Sequence, residues 1–178
     1  MLPRLTFVLG GAASGKSNLA ERLAKSCDKT RVYIATAQPL DGEMAAKIAL
    51  HVEARSGDGW RTLEAPVELA DTLGGIGAGH VTLVDCLTMW LSNLVLSERD
   101  AEREIDALLA AFDAATGPVV VVSNEVGQGI VPDNALSRRF RNLQGRINRE
   151  MAARSDCVVA VMAGLPLCLK GAMPDLPG

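Results

Sequence analysis

Residues 10–17 read Gly10-Gly11-Ala12-Ala13-Ser14-Gly15-Lys16-Ser17. The pattern is G-x-x-x-x-G-K-S without a gap, and its surroundings are the ones such a loop needs. Before it, Leu5-Thr6-Phe7-Val8-Leu9 is a short apolar run that reads as a buried strand. After it, Ser17 to Ser26 carries Leu19, Leu23 and several alanines at helical spacing. The glycines let the backbone curl until several N–H groups point inward, and the start of the helix adds free donors and a partial positive charge. Lys16 can then reach the β and γ phosphates of a nucleotide, and the Ser17 hydroxyl can sit on Mg2+.

Outward from this loop the chain alternates apolar runs with helical patterns. Arg31 to Ala35, Val81 to Val84, Val119 to Val122 and Cys157 to Met162 read as strands, with a shorter one at Arg61 to Glu64. Glu43 to Arg55, Leu87 to Leu96, Glu98 to Ala115 and Asn134 to Arg154 read as helices, and Pro66 opens a short one. The strands are continuously apolar rather than alternating, which demands burial on both faces. The expected fold is α/β, a mostly parallel central sheet with helices on both sides, in one domain over residues 1–178. Cys157 to Met162 is the last clear strand; Ala163 to Pro166 reads as its loop, and the chain after Lys170 as a loose tail.

Composition narrows the function classes. The 178 residues carry 18 Lys and Arg against 21 Asp and Glu, a net charge of −3, which disfavours a nucleic-acid binder. Aromatics are 3%, too few for a stacking platform. The four cysteines form no C-x-x-C pair, so neither a thiolate zinc site nor a disulfide framework is expected. No stretch is long and apolar enough for a membrane span and the first residues lack a signal-peptide pattern, so the expected compartment is the cytoplasm.

Four further features bear on chemistry. Asp85 ends an apolar strand, where a carboxylate can anchor Mg2+ opposite the loop or cap the helix that follows. His51 sits at helical spacing from Met44, Ile48 and Arg55. It is either a core-edge residue or a nucleophile toward the α phosphorus of a nucleotide, which would have to be neutral to attack. Between Asp133 and Arg154 six arginines stand against Asp133 and Glu150, a local charge of +4 that leaves the rest of the chain at −7. That helix meets an anionic substrate, an acidic neighbouring subunit, or only solvent. Ser123-Asn124-Glu125, after the four-valine strand, are either substrate ligands or part of a connecting loop.

Taken together, several blocks resemble one family: the bifunctional adenosylcobinamide kinase / adenosylcobinamide-phosphate guanylyltransferases of cobalamin synthesis. They are the 10–17 loop, Tyr33-Ile34-Ala35-Thr36-Ala37, Ile48 with His51 and Arg55, and Leu83-Val84-Asp85-Cys86-Leu87-Thr88-Met89-Trp90-Leu91. Asp41 with Glu43 and Met44, Trp60 with Thr62, Glu64 and Pro66, Asn93-Leu94, Ser123 to Pro132, Gly145 to Asn148 and Ala163 to Gly171 complete the set. The resemblance implies a RecA-like P-loop NTPase fold and two reactions. A nucleoside triphosphate, ATP or GTP, first phosphorylates the aminopropanol hydroxyl of adenosylcobinamide. GTP then guanylylates a histidine, and the GMP passes to adenosylcobinamide phosphate. It implies Lys16 and His51 as catalytic residues and Ser17 and Asp85 as holders of Mg2+. It also implies nucleotide contacts from the 10–17 loop, Ala35, Thr36, Ala37, Ser56, Gly57, Asp58, Gly59, Glu64 and Asp85. A carboxylate such as Glu64 can accept from the guanine N1–H and amino group, which adenine does not offer in that arrangement. The partners implied are a corrinoid, a nucleotide and two further copies of the chain in a trimer. The chain departs from the family in having Ala13, Lys47 and Val52 where arginine is usual. The readings weighed against this one are a simple small-molecule kinase with His51 structural, and a nucleotide-binding switch without transfer.

Overall fold

The structure is a computed structural model that describes residues 1–38, 42, 57–97, 99–174 and 176. The expected helix over 43–55, with His51 on it, lies outside the described residues. The described chain runs β1 (Leu5–Gly10), α1 (Lys16–Lys25), β2 (Thr30–Ala35), β3 (Trp60–Glu64), α2 (Leu69–Gly74), β4 (His80–Asp85), α3 (Leu87–Leu96), α4 (Ala101–Ala114), β5 (Val119–Asn124), α5 (Ala135–Arg154), β6 (Cys157–Met162) and β7 (Leu165–Lys170).

These strands make one seven-stranded sheet in the order β3-β2-β4-β5-β1-β6-β7. The pairs from β3 to β6 are parallel, and β7 alone runs antiparallel, against β6. Alternation along each strand divides the core in two. Leu5 and Phe7, Val32 and Ile34, Val119 and Val121 pack under α2, α3, α4 and α5. Val8, Tyr33, Val81, Leu83, Val120 and Val122 pack against Leu19, Ala20, Leu23 and Ala24 of α1. Helices therefore cover both faces, which is why the strands are apolar throughout. At about 25 cal/mol per Å² of apolar surface removed from water, such fully buried valines and leucines each contribute roughly 1.5–3 kcal/mol.

One expectation is corrected at the C-terminal end. Leu165 and Pro166, expected as loop, instead open a further strand, Leu165–Lys170, paired from Met162↔Leu165 to Val158↔Lys170. Ala163 and Gly164, both at positive φ, make the two-residue hairpin turn between β6 and β7. Every residue of β7 is exposed, and as an edge strand it tolerates Pro166, whose ring nitrogen offers no donor.

Candidate active site

The C-terminal ends of the parallel strands collect the site. β1 ends at Gly10, and the 10–17 loop turns from it into α1. Gly15 takes φ 92°, a left-handed conformation open to glycine at little cost, and so aims the chain into the helix. A side chain at Gly10 would meet Ser14 Oγ at 2.5 Å and the Val161 carbonyl at 2.6 Å, so only glycine fits beneath the loop. No side chain caps α1 and no acid occupies its first turn. Among the described residues no side chain accepts from its leading N–H groups, which suits them to an external anion. Lys16 is buried and its Nζ donates to Gly11 O at 3.0 Å, which holds the ammonium across the loop.

Two strands away, Asp85 ends β4. Alternation with Leu83 and Val81 puts it on the α1 side of the sheet, and Tyr33 Oη donates to its Oδ2 at 3.3 Å. The N-cap of α3 is Cys86, without a side-chain cap bond, so Asp85 does not cap that helix. Burial and the Asp85 charge push the Cys86 thiol up to about 11, with Lys16 acting weakly the other way. That thiol stays protonated at neutral pH and is no nucleophile. The loop and the end of β4 are therefore within each other's electrostatic reach. A hydroxyl and a carboxylate are hard oxygen donors that suit Mg2+, which keeps waters and substrate phosphates in its other positions. Among the described residues no group of three or more His, Cys, Asp or Glu forms a denser metal site.

The other expected residues divide into three sets. Ala35 and Glu64 lie level with Asp85 at the C-terminal ends of β2, β3 and β4, since Ala35 pairs in register with both. Thr36 is fully buried. Its hydroxyl donates to Cys86 O at 2.7 Å and accepts from Cys86 N at 2.8 Å, while Asn93 Nδ2 donates to its carbonyl. Thr36 therefore braces the end of β4, and Ala37 follows it. Gly57, Asp58 and Gly59 lie at the other edge of the sheet. The Asp58 carboxylate pairs with Lys25 at the far end of α1, and its carbonyl accepts from Arg31 near the start of β2. The structure does not bring these three to the phosphate loop. His51 and Ser56 lie outside the described residues.

β5, between β1 and β4, carries a polar cluster whose bonding the sequence did not reveal. Gln144 Nε2 donates to Ser123 Oγ and to Asn148 Oδ1, and Asn148 Nδ2 donates to the Asn124 carbonyl. Ser123 thus serves the packing of α5. Asn124 stands opposite Gly10 in register, and its Oδ1 is buried with no donor among the described residues. The basic helix α5 is partly neutralised by its own chain: Arg146 pairs with Glu102 and Asp106, and Arg154 with Asp113 and Glu150.

An uncapped helix behind a glycine loop, with a lysine across it and a carboxylate two strands away, defines a P-loop NTPase site. Solved structures agree on the fold. The flagellar accessory protein FlaH of Methanocaldococcus jannaschii is 16% identical with a TM-score of 0.55, over 97% of this chain and 81% of that one. The RadB recombinase is also 16% identical, with a TM-score of 0.51 over 89% and 74%. Sequence comparison is more specific. Residues 6–169 match the cobinamide kinase / cobinamide phosphate guanyltransferase family. The bifunctional adenosylcobalamin biosynthesis protein CobP of Pseudomonas aeruginosa is 49% identical, over 93% of this chain and 96% of its own. CobU of Salmonella typhimurium is 39% identical over 93% and 99%. The chain belongs to this family and is a bifunctional kinase and guanylyltransferase of cobalamin biosynthesis.

Proposed function

We propose that the 10–17 loop serves both transfers and that His51 carries GMP between them. The observation that supports this most is the row of amides at the start of α1, uncapped by any side chain among the described residues, with Lys16 across them and Asp85 on the same side of the sheet. In the kinase step the aminopropanol oxygen of adenosylcobinamide bonds to the γ phosphorus. The bond to the β–γ bridging oxygen breaks, and its electron pair leaves on the nucleoside diphosphate; the hydroxyl proton passes to solvent. Lys16 and the loop amides offset the charge that builds on the departing phosphates. Mg2+, held by the Ser17 hydroxyl and the Asp85 carboxylate, would supply further charge neutralisation there.

In the second step a neutral His51 nitrogen gives its lone pair to the α phosphorus of GTP, and the α–β bridge breaks with pyrophosphate keeping the pair. A phosphate oxygen of adenosylcobinamide phosphate then attacks the same phosphorus, and the P–N bond returns its electrons to the imidazole. Glu64 is assigned to the guanine edge, a role supported by its exposure at the C-terminal end of β3. The same reading takes the chain as one catalytic domain acting in the cytoplasm as a homotrimer. The exposed Leu165, Leu167 and Leu169 of β7 support a neighbour there.

The test uses GTP labelled at the α phosphorus. The wild-type protein should take up acid-labile, alkali-stable label, and His51→Ala should take up none while still phosphorylating adenosylcobinamide. Label retained in His51→Ala removes the histidine assignment. An unlabelled wild type with intact kinase activity reduces the protein to a simple kinase.

A further inference from the structure

β5 lies between the strand that leads into the phosphate loop and the strand that ends at Asp85, and its last residue, Asn124, stands opposite Gly10 in register. Val120 and Val122 pack toward α1, so alternation puts the Asn124 side chain on that face as well, the face that Asp85 shares. The backbone of Asn124 is held by α3 and α5: its N–H donates to Thr88 Oγ1 at 2.8 Å, and Asn148 Nδ2 donates to its carbonyl at 3.1 Å. The next residue keeps the strand end against the loop, since Glu125 N donates to Gly10 O at 3.1 Å. The residue is fixed in place, yet among the described residues no hydrogen bond holds its side-chain amide, and Oδ1 is shut off from solvent without a donor.

Its place decides what that amide meets. Lys16 reaches the β and γ phosphates of a nucleotide held by the loop. The γ phosphorus then stands between the end of β1 and Asp85, which is over the end of β5, with neighbouring strands about 4.8 Å apart. An incoming oxygen approaches that phosphorus on the side away from the β–γ bridge, and so from outside the loop. A buried amide oxygen without a donor is unfavourable and calls for an O–H or N–H. Ionised phosphate oxygens are acceptors and do not serve; the hydroxyl of the phosphoryl acceptor does. Asparagine χ2 is a broad, two-fold torsion, so the carbonyl end turns from its buried position into the site without a backbone movement.

We propose that Asn124 positions the acceptor in the kinase step: its Oδ1 accepts the hydrogen bond of the aminopropanol hydroxyl and so turns an oxygen lone pair toward the γ phosphorus. The proposal rests on the two-step reading above, in which the loop holds the triphosphate. A hydroxyl held this way is closer to its attack geometry than a freely rotating one, which lowers the entropic cost of transfer. An amide oxygen is too weak a base to keep the proton. As the oxygen–phosphorus bond forms and the bridge bond gives its pair to the departing diphosphate, the proton goes on to solvent. The guanylyl step asks nothing of Asn124. His51 attacks through a nitrogen lone pair, and the second acceptor attacks through an ionised phosphate oxygen that brings no hydroxyl to orient. The amide therefore belongs to one of the two transfers alone.

The test compares the two transfers in full-length Asn124→Ala. The kcat for adenosylcobinamide phosphorylation should fall at least about tenfold, while the KM for the nucleotide and the rate of GMP-protein formation stay within about twofold of wild type. With the acceptor unheld, water competes better, so the ratio of inorganic phosphate released to corrinoid phosphorylated should rise at least about fivefold. Asn124→Asp, which keeps oxygen acceptors in the same place, should hold that ratio within about twofold of wild type, whatever its charge does to nucleotide binding. Equal losses in both transfers, a raised nucleotide KM or an unchanged ratio in Asn124→Ala overturn the proposal and leave the two-step reading intact. A wild-type protein that transfers neither phosphate nor GMP overturns both. Should Asn124→Ala unfold, the ratio in Asn124→Asp decides: within twofold of wild type it supports the proposal, and above that it overturns it.

Discussion

Helices α1 and α4 border the same sheet and begin in opposite ways. At α4, Asp100 accepts from the backbone N–H groups of Glu102 and Arg103, and Glu102 and Glu104 add negative charge to the first turn. α5 is closed similarly by Asn134, which accepts from Ser137 N at 2.8 Å. At α1 the same positions hold Gly15, Lys16 and Ser17, with no cap and no acid. A cap is worth about 1 kcal/mol and a favourable first-turn charge roughly 0.3–1 kcal/mol. The start of α1 forgoes both, and the donors it leaves open are those a phosphate chain can take. The starts of α4 and α5 are closed by their own N-cap side chains; α1, like α2 and α3, has no such cap, and it alone of these follows the glycine loop with Lys16 across it.

The largest expected effect lies at α1. Lys16→Ala should lower both phosphoryl and guanylyl transfer by at least about 100-fold, the scale of losing one preorganised charge contact. Its thermal unfolding should change little, because the hydrogen bond shown for the ammonium among the described residues is a single one to the Gly11 carbonyl. A fall in melting temperature as large as that of a core substitution would break the contrast between the two helix starts. Asp100→Ala should do the reverse: a loss of about 1 kcal/mol in urea unfolding, with kcat for both steps unchanged. The smallest effect belongs to the opposite edge of the sheet. Lys25 holds the Asp58 carboxyl below its usual range, first through their hydrogen bond. A depressed folded-state value means the pair stabilises the fold above the unfolded carboxyl value of about 3.9, and the contribution is lost as pH falls through the lower folded value. Asp58→Asn should therefore be slightly less stable than wild type at neutral pH and equal to it in strong acid, by thermal unfolding across that range. The difference is small because the pair is exposed to solvent.

The loop and its two neighbouring elements were legible because their signals are local. A gapless motif, an apolar run and a helical spacing fix Gly10 to Ser17 without knowledge of the rest. The apolar strands likewise announced burial on both faces. What escaped depends on long-range placement. Thr36 reads as a loop residue, yet its hydroxyl is claimed by Cys86, fifty residues on. Gly57 to Gly59 follow the His51 segment in sequence, but Lys25 and Arg31 hold Asp58 at the sheet edge away from the loop. β7 was hidden by composition: a proline and flanking glycines read as a turn, and only an edge position makes them compatible with a strand. The cap reading of Asp85 fell only when the start of α3 proved to be Cys86.

The β6–β7 turn does more than reverse the chain. Gly164 N donates to Ser14 O at 2.9 Å, and its Cα lies 3.4 Å from where a Cβ on Gly15 would stand. The outermost hairpin is thus bolted to the innermost curl of the nucleotide grip. A displacement of the hairpin that carries the exposed leucines is thereby passed straight to the curl of the loop through a single backbone joint.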